Sequence, residues 1–99
     1  LTGIEGNENE IPAVYKLYNN YPNPFNPSTT IRDDLRRNTF VKLSVYDVLG
    51  KLVTELVKQD MTAGRYEANW DASGYASGAY FYKFETDSFT DMKKMILIK

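Results

Sequence analysis

With neither His nor Cys among its 99 residues, any catalysis by this chain falls to its carboxylates, since 13 side chains are Asp or Glu. That composition removes a thiolate nucleophile, a Ser–His pair and a histidine metal site. Asp33 and Asp34 are adjacent in an expected strand, so they point to opposite faces and cannot work as an acid/base pair with each other. Asp47, Asp60, Asp71, Asp87 and Asp91 each stand beside turn residues, where Asp is favoured for its hydrogen bonds to nearby backbone. No Asp-x-Asp/Asn-x-Asp/Asn spacing marks a calcium loop. The residues therefore point away from an enzyme, with no catalytic, cofactor or metal position assigned.

Binding is the next chemistry to consider. Tyr18, Tyr21, Phe25 and Tyr75 fall in or beside expected loops, where aromatic faces can stack on sugars. The ordinary alternative is that these rings close the ends of a small β-domain with their hydroxyls in water. A second candidate is the C-terminal run Asp91-Met92-Lys93-Lys94-Met95-Ile96-Leu97-Ile98-Lys99. A terminal edge strand is easily offered to another chain by strand addition, although its lysines also read as a guard against aggregation. The third candidate is Tyr21-Pro22-Asn23-Pro24-Phe25-Asn26-Pro27-Ser28-Thr29-Thr30-Ile31, which holds three of the four prolines. Proline fixes φ and biases its predecessor toward extended backbone, so this segment reads as a pre-shaped strap leading into a strand.

The elements that must position these residues are strands. Short β-branched and aromatic runs separated by turn signals predict strands over 14–18, 28–35, 40–46, 51–57, 65–70, 79–85 and 92–98. Val41, Leu43 and Val45 share one face, as do Tyr66, Ala68 and Trp70, and Tyr80, Tyr82 and Phe84. Asp47-Val48-Leu49-Gly50 predicts a tight turn closed by a glycine at positive φ. Residues 58–64 read as a loop. The 51–57 segment also fits helical spacing through Leu52, Val53, Leu56 and Val57. In the last strand both faces are apolar, Met95 and Leu97 on one and Ile96 and Ile98 on the other, so the pattern alone does not choose the inward face. Seven strands without a convincing helix predict an all-β, seven-stranded antiparallel immunoglobulin-like β-sandwich.

Residues 1–13 are polar and aperiodic and read as a flexible linker, with the β-domain over 14–99. At 42% hydrophobic and 14% aromatic content the chain forms one core, burying about 60–70% of its unfolded surface. A formal net charge of -1, with 12 basic residues interspersed among 13 acidic ones, gives no electrostatic footprint for nucleic acid or an anionic membrane. No apolar run approaches the roughly 20 residues of a membrane span. The first residue is Leu1 and no signal peptide is visible, so the expectation is a piece of a longer protein with its targeting signal upstream.

Taken together, five ordered blocks resemble the type A C-terminal sorting domain of the type IX secretion system. They are the 21–31 strap; Val41-x-Leu43-x-Val45-Tyr46-Asp47-x-x-Gly50-x-x-Val53-x-x-Leu56; Ala63-Gly64 leading to Trp70-Asp71; Ser77-Gly78-x-Tyr80-Phe81-Tyr82; and Lys93-Lys94-Met95-x-Leu97-x-Lys99. The resemblance covers about Tyr15 to Lys99. Its first four blocks are also similar to the immunoglobulin-like domain of flagellar hook-capping proteins, and the terminal block favours sorting.

The resemblance implies a non-catalytic secretion signal that acts in the periplasm and at the outer membrane. Its partners would be the outer-membrane translocon, with its shuttle and a sortase-like protease, and the upstream cargo domain. The cargo would end at the cell surface or outside. Carried over residue by residue, receptor recognition falls to Pro22, Asn23 and Pro24 in the strap, Gly78 and Tyr80 in the hairpin block, and Lys94, Met95, Leu97 and Lys99 at the end. The alternative is a structural or carbohydrate/surface-adhesion module of the same fold. One position departs from the family pattern: Asp33 stands where an apolar or aromatic residue is common. The expectation is that it lies at the sheet margin or is paired, with Arg32, Arg36 or Arg37 as partners.

Overall fold

Alternation of apolar and polar side chains builds the long strands, because neighbouring residues on extended backbone face opposite sides of a sheet. The computed structural model describes residues 2–3 and 10–99, so residues 1 and 4–9 of the expected linker lie outside the described residues. Among the described residues the strands are β1 (Thr2–Gly3), β2 (Lys16–Leu17), β3 (Ser28–Leu35), β4 (Thr39–Tyr46), β5 (Leu52–Met61), β6 (Gly64–Asp71), β7 (Gly78–Glu85) and β8 (Thr90–Leu97). They form two four-stranded antiparallel sheets, ordered β1-β6-β3-β2 and β5-β4-β7-β8. The seven expected strands correspond to β2 through β8.

One core lies between the sheets. The first contributes Leu17, Ile31, Leu35, Ala68 and Trp70, and the second Val41, Leu43, Val45, Tyr80, Tyr82, Phe84, Met95 and Leu97. Each fully buried aliphatic or aromatic side chain of this kind stabilises the fold by about 1.5–3 kcal/mol. The inward face of β8, undecided by pattern, is the one carrying Met95 and Leu97, at 0% and 1% exposure, while Ile98 is 51% exposed. The register explains the choice, since Met95 is opposite Tyr80 and Leu97 opposite Gly78 on β7.

The 51–57 segment is strand from Leu52 and not helix, and β5 runs on to Met61 where a loop was expected. Its far half pairs fully with β4, Thr39 opposite Met61 and Lys42 opposite Lys58. As β5 is an edge strand, Lys58, Gln59 and Asp60 remain exposed while Met61 reaches the core. Polar alternation on an edge strand looks like a loop in the sequence. The turn before β5 is as expected: Gly50 has φ +81° and donates its N–H to the Asp47 carbonyl at 3.0 Å, and the Asp47 carboxylate accepts from Leu49 and Lys51 N–H.

Asp33 is neither at a margin nor paired. It sits on β3 between the inward-facing Ile31 and Leu35, flanked by Leu17 on β2 and Tyr66 on β6, and is 1% exposed. Its Oδ1 is buried without a hydrogen-bond partner. Strand parity is the reason: Arg32 shares its strand but points to the opposite face. Burial first, and the neighbouring Asp34 second, push the Asp33 carboxyl up to about 7. Asp34 faces the other way, with its Oδ2 accepting from the Tyr18 hydroxyl at 2.7 Å and Oδ1 3.7 Å from Arg65 Nε.

Candidate docking surface at the strap and terminal strand

The proline strap crosses from the first sheet to the second and is fastened at several points. Asn20 begins it: its backbone N–H donates to the Tyr82 hydroxyl at 2.9 Å, and that hydroxyl donates to the Tyr18 carbonyl at 2.7 Å. Burial, opposed by the bond from Asn20 and reinforced by Asp91, raises Tyr82 to about 12, so its proton stays in place. The Asn20 amide donates to Thr29 Oγ1 at 3.0 Å and to the Pro22 carbonyl at 3.2 Å, and Thr29 Oγ1 also donates to Pro22 at 2.9 Å. Tyr21 and Thr30 exchange a pair of backbone bonds. All three X–Pro bonds of the strap are cis. The Phe25 ring is 1% exposed, with its centroid 5.7 Å from that of Trp70.

Beyond Pro22 the strap lies along the outer edge of β8. Phe25 N–H donates to the Ile96 carbonyl and Ile98 N–H donates to the Phe25 carbonyl, both at 2.9 Å, which makes a parallel bridge opposite Leu97. Asn23 reaches the same edge with its side chain. Its Oδ1 accepts from Ile96 N–H at 3.0 Å, and its Nδ2 makes a longer contact, 3.5 Å, to the Lys94 carbonyl. At the end of the chain Lys99 N–H donates to Ser77 Oγ at 3.0 Å and Lys99 Nζ to the Ser73 carbonyl at 2.6 Å.

A family model for the secretion system C-terminal sorting domain matches residues 19–99, from the residue before Asn20 to the last lysine. The chain belongs to the type IX secretion C-terminal sorting domain family. Among curated proteins no relative matches it. Membership implies a secretion-signal role, interaction with the type IX machinery, and an upstream cargo that passes the outer membrane to the surface or beyond. Domains of this family are generally non-catalytic. Among the described residues no group of three or more Asp, Glu, His or Cys side chains converges as a metal site would require.

The sorting domain gathers the residues singled out in its sequence at one end, in two classes. Pro22, Asn23, Pro24, Gly78, Lys94 and Lys99 are exposed. Tyr80, Met95 and Leu97 are core residues: Tyr80 packs edge-on against Trp70 at 5.3 Å and donates its hydroxyl to the Ala76 carbonyl at 2.6 Å. Gly78 has φ +152° and pairs with Leu97 as β7 opens. Local pattern does not reveal what Asn20 or Ser77 bonds to, because their partners Tyr82 and Lys99 lie 62 and 22 positions away. The aromatic quartet is not brought together. Phe25 is buried, Tyr75 leans on Trp70 at 5.5 Å, and Tyr18 is covered by Lys16, whose Nζ lies 4.6 Å from the ring centroid. Tyr21, 81% exposed, shares a cleft with Tyr18 and not with Phe25 or Tyr75.

Proposed function

We propose that this domain is a non-catalytic C-terminal secretion signal read in its folded state by the outer-membrane type IX translocon and its shuttle. In this reading the cargo crosses the periplasm first, and a sortase-like protease then cuts N-terminal to the β-domain, within residues 1–13. The observation that carries it is the family match over 19–99 together with the convergence of strap and terminal strand on one surface. Recognition is assigned to the exposed members, Pro22, Asn23, Pro24, Gly78, Lys94 and Lys99, while Tyr80, Met95 and Leu97 hold that surface in shape. A rigid surface loses little conformational entropy on docking. The sheet orders, β2-β3-β6 on one side and β5-β4-β7-β8 on the other, support the immunoglobulin-like assignment, and the kinship with hook-capping domains rests on the first four sequence blocks.

The test is export of a periplasmically targeted reporter carrying this chain in a host with type IX secretion, compared with Lys94→Glu and Lys99→Glu variants. Reporter in the medium or on the surface, reduced by the variants, is the expected result. A folded wild-type fusion held in the periplasm while the host exports its own cargo would sink the reading. The exposed Tyr21, beside Tyr18, Asn19, Arg32 and Glu67, favours surface adhesion as a second reading. Glycan binding abolished by Tyr21→Ala would move the assignment there.

A further inference from the structure

The contact between Asn23 and β8 is more specific than a side chain resting on a strand. In a parallel pair, one residue donates its N–H to the carbonyl before its opposite number and accepts from the N–H after it. Phe25 does this around Leu97 with its own backbone. Two residues earlier, Asn23 repeats the pattern around Met95 with its side-chain amide, Nδ2 toward the Lys94 carbonyl and Oδ1 accepting from Ile96 N–H. The amide thus replaces a peptide group in the register that Phe25 sets. Prolines 22, 24 and 27 supply no backbone donor there, so a primary amide carries the donor and acceptor the slot needs.

What this arrangement closes is an edge. Because bonding alternates along an antiparallel ladder, Thr90, Met92, Lys94, Ile96 and Ile98 turn their backbone groups away from β7. The strap takes both groups of Ile96, the N–H of Ile98 and the carbonyl of Lys94. Asp91 Oδ1 accepts the N–H of Met92 at 2.8 Å. The side chains that share this outward row include the exposed Met92 and Ile98, at 53% and 51%. A flat edge with apolar neighbours is a template for pairing with another strand.

We propose that the outer edge of β8 is a strand-pairing surface kept closed in cis by Asn23–Phe25, and that its partner when the strap is loosened is the same edge of a second copy of this chain. Two copies of β8 related by a twofold axis are self-complementary. Setting Lys94 opposite Ile96 places Met92 opposite Ile98, which brings apolar side chains together and keeps the two Lys94 ammonium groups from facing each other. The closed edge also means that a receptor meets this strand through its exposed side chains, and adds a strand only by displacing the strap.

Hydrogen exchange on the 99-residue chain tests the guard. The Ile96 amide exchanges about tenfold faster in Asn23→Ala, while Met95 and Leu97 amides, bonded to β7, keep their rates. Asn23→Asp retains the acceptor, so Ile96 stays within about threefold of wild type. Equal Ile96 rates in wild type and Asn23→Ala would overturn the surrogate-peptide role. Sedimentation tests the partner: Asn23→Ala/Pro24→Gly, both at exposed positions, forms a concentration-dependent dimer that a further Ile98→Lys returns to monomer. A folded double variant that stays monomeric at every concentration, or a dimer indifferent to Ile98→Lys, would overturn the pairing surface.

Discussion

Burying Asp33 between Ile31 and Leu35 with Oδ1 unpartnered leaves a carboxyl that keeps its proton until about pH 7, against 3.8 for an ordinary Asp. The sign of the linkage follows from that order. Below about 4 both the folded and unfolded chains hold the proton and nothing is lost; between 4 and 7 the unfolded chain ionises first, so stability falls as pH rises; above 7 the loss is complete. A shift of this size corresponds to a contribution on the order of 4 kcal/mol. The charged groups nearby act mostly elsewhere, since Arg65 pairs with Asp34 on the opposite face. Asp33→Asn is therefore expected to gain about 1–3 kcal/mol at pH 7.5, less than the full amount because its amide must still find partners. Urea unfolding at pH 5 and 7.5 checks it: the variant should lose less stability between the two values than wild type, and equal losses would remove Asp33 as the cause.

Among elements, the start of the strap is tied to the second sheet by one hydroxyl. Tyr82 accepts from Asn20 N–H and donates to the Tyr18 carbonyl, so Tyr82→Phe keeps the ring in the core but leaves two backbone groups unpaired. The expected cost is about 2–3 kcal/mol by denaturant titration, larger than removal of an exposed hydroxyl would give. A cost below about 0.5 kcal/mol would mean that water replaces the phenol there. How far such elements are legible in sequence depends on the range of the information. β3 was readable to the residue, and the Asp47–Gly50 turn down to its glycine, because period and turn chemistry are local. The inward face of β8 was not, since Met95-Leu97 and Ile96-Ile98 are equally apolar and the choice is made by β7 across the ladder. Asn23 and Asn20 were opaque in their roles for the same reason, their partners lying up to 73 positions along the chain. Asp33 misled because a rule about burying charge predicts pairing, whereas the fold resolves the conflict by raising the carboxyl's pKa.

At the scale of the whole molecule, reading the end of the chain and folding the chain are entangled, and the entanglement decides how sorting should be tested. Leu97 is 1% exposed and Ile96 and Ile98 hold Phe25, so removing the last four residues takes away core and strap together. That truncation is expected to cost about 3–5 kcal/mol, a large share of the stability of a domain this size, and to cut export through unfolding. Lys94 and Lys99 are separable, because both are exposed: Lys94→Glu and Lys99→Glu should stay within about 1 kcal/mol of wild type in urea. If the translocon reads their charges, export of the reporter falls about tenfold in the double variant while the purified chain melts as wild type, the loss arising from like-charge repulsion at the docking surface. Measuring both quantities on the same variants separates recognition from stability. Export that follows unfolding free energy across Leu97→Ala, the truncation and the lysine variants on one line would leave the terminal lysines no part in recognition, and would assign the signal to the folded shape that the strap and β8 make together.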